Sequence, residues 1–228
     1  MREIILDTET TGLDPLQGHR LVEIAALELT NHLPTGRTYH TFINPNRDMP
    51  REAEAIHGLS GEFLKDKPQF RDVADAFHEF IGDSLLIIHN ASFDLGFLNA
   101  ELGFVKKAAI LHERVIDTLA MAKKRHPMGP NSLDALCKRY NIDLSKRTKH
   151  GALVDCELLA EVYLELVGGR QIALTLPTQA TMRHLNIIPV SVSLKRDRPL
   201  AQRLSEEEIQ QHQDMVKTLG AAALWRVN

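Results

Sequence analysis

The chain has 228 residues, of which 43% are hydrophobic and 25% are charged, so a wholly disordered or collagen-like chain is excluded. No apolar run approaches the roughly 18–20 residues of a membrane span, and the opening MREIILDTET has no signal-peptide pattern. Two cysteines are too few for a disulfide framework, and we expect a reducing, cytoplasmic setting with no membrane partner.

The net charge of −3 is distributed unevenly along the chain. Residues 1–104 carry 8 Lys and Arg against 17 Asp and Glu, whereas residues 105–150 carry 11 against 4. An acidic half followed by a basic segment is typical of a metal site beside a polyanion track. A solvated helical face would give the same pattern, so charge alone leaves both interpretations open.

Hydrophobic patterns predict an antiparallel meander followed by an α/β arrangement. The first three strands are predicted at Glu3–Thr8, Leu21–Leu29 and Tyr39–Ile43, separated by turn residues. Helical spacing over residues 70–81 predicts a helix, and the apolar run Leu85–His89 is typical of a strand buried on both faces. The remaining predicted elements are a helix at Ser92–Leu102, a strand at Val115–Asp117, and helices at Thr118–Arg125, Leu133–Tyr140 and Ala152–Val167.

The character of the sequence changes after Gly169. The following stretch has no sustained period and contains three prolines, which is typical of a linker. SEEE at residues 205–208 is a capping box, which predicts the start of a further helix. We therefore predict a main domain over residues 1–169, a linker over 170–204 and a helical segment over 205–228.

Five residues form a pattern suited to metal chemistry. Asp7 and Glu9 stand two apart at the end of the first strand, so their side chains point to one face. Such paired carboxylates repel unless a divalent cation neutralises them, and oxygen ligands favour Mg²⁺ or Mn²⁺. Asp94 follows the buried LLIIH strand, and His150 and Asp155 flank the start of the last main-domain helix. Each of these three also has a plain explanation as a surface histidine or a helix-start acid.

The order Asp-x-Glu, Asp, His-x4-Asp resembles the histidine-type branch of the DEDD 3′–5′ exonuclease family. LDTETTG, NASFD and HGALVD are similar to its three motifs. NSLDALCKRY, SKRTKHGALVD and HGL at residues 57–59 are similar to the proofreading ε subunits of bacterial DNA polymerase III. The resemblance covers about residues 3–169. It implies a ribonuclease H-like α/β fold, with a central mixed sheet of an antiparallel three-strand meander plus parallel strands, flanked by helices.

The resemblance implies a role for each matching residue. Four carboxylates would hold two divalent cations, Mg²⁺ or Mn²⁺: Asp7, Glu9, Asp94 and Asp155. His150 would take a proton from the attacking water. Asp7, Glu9 and Asp155 would also border the substrate. The positions that match contacts to the terminal nucleotide or the last bases are Glu52, His57, Leu13 and Ile56.

The implied reaction is hydrolysis of the 3′-terminal phosphodiester of DNA, which releases 5′-mononucleotides and proofreads during replication. The substrate would be a single-stranded or frayed 3′ end, because mismatched termini cost less to unpair. Recognition should ignore base sequence, since phosphate contacts position DNA without reading it. The expected phosphate contacts are Lys138, Arg139, Lys146, Arg147 and Lys149.

The C-terminal region predicts protein partners. Gln171–Leu176 resembles the short glutamine-led motif by which polymerase partners bind the sliding clamp. Residues 205–225, with Trp225 as an interface anchor, are predicted to dock on the polymerase catalytic (α) subunit. A helix packed on its own domain is equally consistent with this segment.

Three other functions compete with this interpretation. A free-standing oligoribonuclease or RNA-trimming exonuclease would share every catalytic residue, but such enzymes usually lack an arm after the nuclease domain. A non-catalytic nucleic-acid-binding module would be expected to have lost at least one metal ligand, and none is missing. A mononuclear iron oxygenase would need two histidines and one carboxylate rather than four carboxylates.

Overall fold

The computed structural model describes residues 1–145, 147, 149–169 and 204–219. These residues belong to two compact units, one ending and the other beginning within the undescribed stretch 170–203, and each unit is considered by itself. No helix of the described residues has the length and apolar character needed to cross a membrane.

The main unit contains one mixed five-stranded sheet. Its strands are β1 (Arg2–Thr10), β2 (Leu21–Thr30), β3 (Leu33–Phe42), β4 (Leu85–Ile88) and β5 (Val115–Asp117). The spatial order is β3-β2-β1-β4-β5. The pairs β1–β2 and β2–β3 are antiparallel, whereas β1–β4 and β4–β5 are parallel. The predicted meander with added parallel strands is therefore confirmed.

Eight α-helices are found among the described residues. They are α1 (Arg51–His57), α2 (Gly61–Leu64), α3 (Phe70–Ile81), α4 (Ala91–Phe104), α5 (Thr118–Arg125), α6 (Leu133–Tyr140), α7 (Ala152–Leu166) and α8 (Glu206–Leu219). Helices α3, α5 and α6 have the predicted bounds. Helix α4 begins one residue earlier and ends two residues later than predicted, and α7 ends one residue earlier. The short helices α1 and α2 were not predicted, because four to seven residues are too few to display a period.

The strand β3 begins six residues earlier than predicted. Asn31 and His32 both have positive φ angles, 52° and 67°, as the two central residues of a type I′ hairpin turn do. Pro34 and Gly36 follow within the strand, and both residues normally argue against a strand. They are tolerated here because β3 lies at the edge of the sheet, where a strand needs hydrogen-bonding partners on one side only.

Two apolar layers cover the two faces of the sheet. Ile4 and Leu6 of β1 pack with α3 and α4, whereas Ile5 packs with α6 and α7. Successive strand residues point to opposite faces, so β1 is buried on both sides until it ends. Asp7 and Glu9, two and four residues beyond Ile5, therefore continue the row that faces α7.

The strand β2 carries two buried glutamates, each with a cationic or ionisable partner. Glu28 is 5% exposed and lies 2.5 Å from Arg2 Nε, and Glu23 is 4% exposed and lies 2.6 Å from His40 Nε2. Carboxylates are rarely buried this deeply without a partner. Glu28 lies near the other end of the strand, paired in register with Ile4, whereas Glu23 is paired in register with Glu9.

The helix α8 begins with the predicted capping box. Ser205 Oγ accepts from the Glu208 N–H at 3.3 Å, and the Glu208 carboxylate accepts from the Ser205 N–H at 2.8 Å. The predicted clamp motif Gln171–Leu176, most of the predicted linker and Trp225 lie outside the described residues. Those predictions stay predictions.

Candidate active site

Three of the predicted residues converge at the end of β1. One ligand atom from each of Glu9, His150 and Asp155 lies within 4.8 Å of the other two. Asp155 belongs to the first turn of α7, where its N–H donates to the Gly151 carbonyl at 2.9 Å. Two carboxylates and an imidazole at this spacing are a donor set that suits a divalent cation.

Asp94 reaches the same edge of the sheet from the opposite layer. Asn90 adopts the left-handed conformation, with φ 66°, and so turns the chain sharply from β4 into α4. Its N–H donates to the Asp117 carboxylate at 3.1 Å, which fixes this turn to β5. Asp94 is 3% exposed and accepts a hydrogen bond of 2.7 Å from the hydroxyl of Thr8.

Three carboxyl groups at this edge have pKa values above their usual range, chiefly because they are buried. Burial raises the pKa of Glu9 to about 8, and the charges of Asp155, Glu23 and Asp94 add to the shift. Burial likewise raises the pKa of Asp94 to about 7. The pKa of Asp7 lies well above its usual value, first through burial and then through the charge of Asp94. A group of acids that disfavours its own ionisation in this way is suited to a divalent cation, which reverses the effect.

Arg147 supplies positive charge at this edge of the sheet. Its side chain is 8% exposed and forms a bidentate pair with Asp155, with Nε at 2.6 Å from Oδ1 and Nη2 at 2.7 Å from Oδ2. Nη2 also lies 2.8 Å from His150 Nδ1, and Nη1 contacts Asp134. Arg147 thus lies against side chains of the site in this structure, and its predicted contact with phosphate stays a prediction.

The other predicted phosphate contacts divide into three groups. Arg139 is committed within the protein, because its guanidinium donates to the Pro130 carbonyl at 3.1 Å and to Asn131 at 3.3 Å. Lys138 and Lys149 are exposed. Lys146 lies outside the described residues.

A cavity of about 490 Å³ adjoins Glu9 and collects the residues predicted to meet the terminal nucleotide. Leu13 and Ile56 at its wall are 83% and 53% exposed. Phe93 and His19 contribute further aromatic surface. The predicted residues that line the cavity are Glu9, Glu52, His57, Leu13 and Ile56.

His57 lines this cavity with a buried ring. Its ring is 6% exposed, and Nδ1 accepts from the Leu59 N–H at 3.0 Å, so the ring proton belongs on Nε2. Nε2 has no hydrogen-bond partner within the described part of the chain. Burial lowers the pKa of His57, which favours the neutral ring. The Thr10 backbone lies close enough to the ring to oppose part of this shift.

Comparison with known proteins decides the family. A family model described as exonuclease (RNase T) matches residues 4–163. The chain belongs to the RNase T family of exonucleases. The exonuclease is 52% identical to DNA polymerase III subunit epsilon of Rickettsia felis over 223 residues, which cover 96% of this chain and 97% of the relative. The same subunit of Escherichia coli is 41% identical over 238 aligned residues, covering 99% and 97%.

Solved structures agree with the fold of this exonuclease. Exonuclease X in complex with 5′-overhanging duplex DNA is 26% identical, with a TM-score of 0.57, and covers 72% of this chain and 90% of that one. The nuclease domain of 3′hExo, a DEDDh family member bound to rAMP, has a TM-score of 0.64 at 16% identity and covers 73% and 91%. The predicted fold class and the 3′–5′ exonuclease assignment are confirmed, as is a divalent-metal-dependent family.

Sequence reasoning missed three residues of this exonuclease's site. Thr8 was overlooked because it lies between two acids and points to the opposite face of β1. Arg147 was expected among the phosphate contacts, and its pairing within the site was missed because its partners Asp134 and Asp155 are 13 and 8 residues away. Glu23 carried a usable signal, since it is one of only two charged residues in a largely apolar strand.

Proposed function

We propose that this exonuclease shortens DNA from its 3′ end and proofreads for a bacterial replicative polymerase. The observation that carries the proposal is the meeting of Glu9, His150 and Asp155 at the rim of a cavity with the volume of a small-ligand site, roughly 300–1,000 Å³. DNA rather than RNA is supported by relatives along nearly the whole chain that are named as DNA polymerase subunits.

Four carboxylates are the proposed ligands of two divalent cations, Mg²⁺ or Mn²⁺: Asp7, Glu9, Asp94 and Asp155. Their mutual repulsion and the oxygen-rich donor set support this assignment. When bound, such ions supply an activated water and stabilise the charge on the leaving 3′-oxygen. Asp7, Glu9 and Asp155 also border the scissile phosphate.

His150 is the proposed general base. Its side chain is 50% exposed, so water and substrate both reach the ring. Histidine is the side chain that most often accepts a proton in such reactions. In this structure Nδ1 receives the Arg147 guanidinium, so His150 accepts a proton at Nδ1 only after Arg147 has moved from that atom.

The cavity is the proposed site of the 3′-terminal nucleotide. Glu52 and His57 would form its polar contacts, and exposed Leu13 and Ile56 would pack against the bases. A recessed cavity favours an unpaired end, because a mismatched terminus costs less to unstack than a paired one. Lys138 and Lys149 remain available to phosphates further along the strand.

The division of the chain at residue 169 and its partners are also proposals. Segment 205–228 is the proposed contact with the polymerase α subunit, and Gln171–Leu176 the proposed contact with the sliding clamp. Relatives named as DNA polymerase III subunits that align over 96–99% of this chain support a role within that polymerase.

Hydrolysis of a 3′-labelled single-stranded DNA with Mg²⁺ tests the reaction. We expect stepwise release of 5′-mononucleotides, loss of activity and of metal binding in Asp7→Ala, and a loss of roughly 10²–10⁴-fold in His150→Ala with metal binding retained. Asp48→Ala, which removes an exposed aspartate, is the matched control.

Three results would revise the proposal. Cleavage of short RNA without cleavage of DNA would indicate a free-standing ribonuclease. If neither substrate is cut, the non-catalytic binding module becomes the better interpretation. Near wild-type turnover in His150→Ala would remove the histidine from the chemical step.

A further inference from the structure

We propose that Glu23 is a positioning residue that fixes the backbone beside His150 and does not bind a metal ion. The inference rests on the proposed role of His150 as general base. Glu23 is a fifth carboxylate at this edge of the sheet, paired in register with Glu9 on the neighbouring strand. No part of the reaction described above requires it, yet it is 4% exposed.

Both carboxylate oxygens of Glu23 are already engaged. Oε1 lies 2.6 Å from His40 Nε2, and Oε2 accepts from the buried N–H of Ala152 at 3.2 Å. Burying a carboxylate is costly unless its oxygens receive donors, and here each oxygen has one. Glu23 is thus committed to β3 on one side and to α7 on the other.

The contact with Ala152 fixes the start of α7. The first N–H groups of a helix have no acceptor within the helix, and a negative charge there is favourable. Gly151 is the N-cap residue and has no side chain with which to cap α7. Instead, the Glu23 carboxylate on strand β2 accepts the hydrogen bond that a capping side chain would accept, from a position 129 residues away in sequence.

His150 is held on both sides by this arrangement. Ala152, two residues later, is fully buried and bound to Glu23. The N–H of His150 itself donates to the Ile56 carbonyl of α1 at 3.3 Å. The ring is exposed while its backbone is tied down, so the position of the base depends on these two hydrogen bonds. A displacement of about 1 Å in such a group can lower the rate by 10²-fold.

His40 holds Glu23 in the orientation that reaches Ala152. It lies on the edge strand β3, directly opposite Ala25 of β2, and its ring packs edge-on against Phe42 at a centroid distance of 4.9 Å. Without His40, Oε1 would lose its partner and the carboxylate would be free to rotate. His40 therefore acts through Glu23, one step further from the reaction.

The test compares Glu23→Ala with Glu23→Gln in the full chain. We expect Glu23→Ala to lower kcat at saturating DNA and Mn²⁺ by at least about tenfold, with KM and the number of bound Mn²⁺ ions unchanged. Glu23→Gln should keep kcat within a few-fold of wild type, because its amide can still accept from Ala152 and donate to His40. Glu28→Ala, which removes an equally buried glutamate of β2, should lower the melting temperature without lowering kcat.

Each other outcome overturns the inference. If Glu23→Ala binds one Mn²⁺ fewer than wild type, Glu23 is a metal ligand. If Glu23→Ala and Glu23→Gln lose kcat equally, the charge of Glu23 is what matters. If Glu23→Ala keeps full activity, Glu23 has no role in positioning His150. If Glu23→Ala does not fold, His40→Ala is measured in its place. A wild-type kcat in His40→Ala would then contradict the inference. His150→Ala in the same assay separates the two proposals, because its full activity would instead defeat the assignment of the base.

Discussion

The proposed metal ligand Asp155 is paired with a cationic side chain in this structure. In this structure the guanidinium of Arg147 occupies both of its oxygens, although Asp155 is also a proposed metal ligand. Charge-assisted bidentate pairs of this kind are strong, so binding of a divalent cation must compete with Arg147 for the same carboxylate. Arg147 also touches His150 Nδ1, which means that its release from Asp155 would free the proposed base as well.

The raised carboxylate pKa values predict how stability responds to pH and metal. The folded pKa values of about 7 for Asp94 and about 8 for Glu9 lie above unfolded values of roughly 4. Between pH 4 and 8 the folded protein therefore holds protons that the unfolded chain has released, so the free energy of unfolding decreases as pH rises. Divalent cations bind the ionised carboxylates, so in their presence the free energy of unfolding should no longer decrease as pH rises.

Thermal unfolding at pH 6 and pH 8, in EDTA and in saturating Mn²⁺, measures the effect. We expect Mn²⁺ to raise the melting temperature more at pH 8 than at pH 6. Glu9→Gln should reduce the difference between the two pH values, because one titrating group is removed. An equal or larger increase at pH 6 would contradict the assignment of these shifts.

Elements from three parts of the fold meet at the end of β1, and side-chain bonds between them fix the site. Thr8 of β1 binds Asp94 of α4, and Glu23 of β2 binds Ala152 at the start of α7. The sheet order places β1 centrally, with the two helices on opposite faces. Neither helix alone carries a complete set of ligands.

Thr8→Val tests the bond between β1 and α4. Valine has a similar shape but no hydroxyl, so Asp94 loses a donor that lowers its pKa, and protons compete better with metal. A hydrogen bond to a charged group is worth about 1.5–3 kcal/mol, so we expect Mn²⁺ affinity near pH 7 to fall by roughly tenfold or more. Binding is measured by calorimetry.

Two controls accompany this variant. Thr8→Ser keeps the hydroxyl and should bind Mn²⁺ nearly as the wild type does. Thr38→Val makes the same change at an exposed position of β3 and should leave the affinity for Mn²⁺ unchanged. Wild-type affinity in Thr8→Val would show that the hydroxyl does not support Asp94.

The described residues of the main unit form a sheet with both faces covered and contain every proposed catalytic side chain. In α8, by contrast, none of the residues is buried, and Met215 and Leu219 are 52% and 47% exposed. A helix with large apolar side chains in water is consistent with the proposed contact between segment 205–228 and the polymerase.

Deletion of residues 170–228 tests this division of labour. Hydrolysis of single-stranded DNA should be retained, because the ligands and the cavity lie before residue 170, while co-purification with the polymerase α subunit should be lost. The full chain carrying Asp7→Ala is the reciprocal control, inactive but still co-purifying. Retained co-purification of the truncated chain would place the contact in the main unit.

Prediction from sequence succeeded where the determining interactions are local. Helices α3, α5 and α6 show their apolar period or their caps within a dozen residues, and the spacing of Asp7 and Glu9 sets their common face. Strand β3 was only half predicted, because an exposed edge strand needs no apolar pattern and tolerates Pro34 and Gly36. Helix α1, which carries Glu52 and His57, was too short to have a visible period.

The sequence by itself determined the family, the order of most elements and the residues able to bind metal, since all of these depend on residue type and spacing. Only the tertiary structure decided how charged side chains are paired. Arg147 turned inward to Asp155, and Glu23 capped a helix 129 residues away. Such pairings depend on burial, which makes an unpaired charge costly, and burial exists only after distant segments have packed.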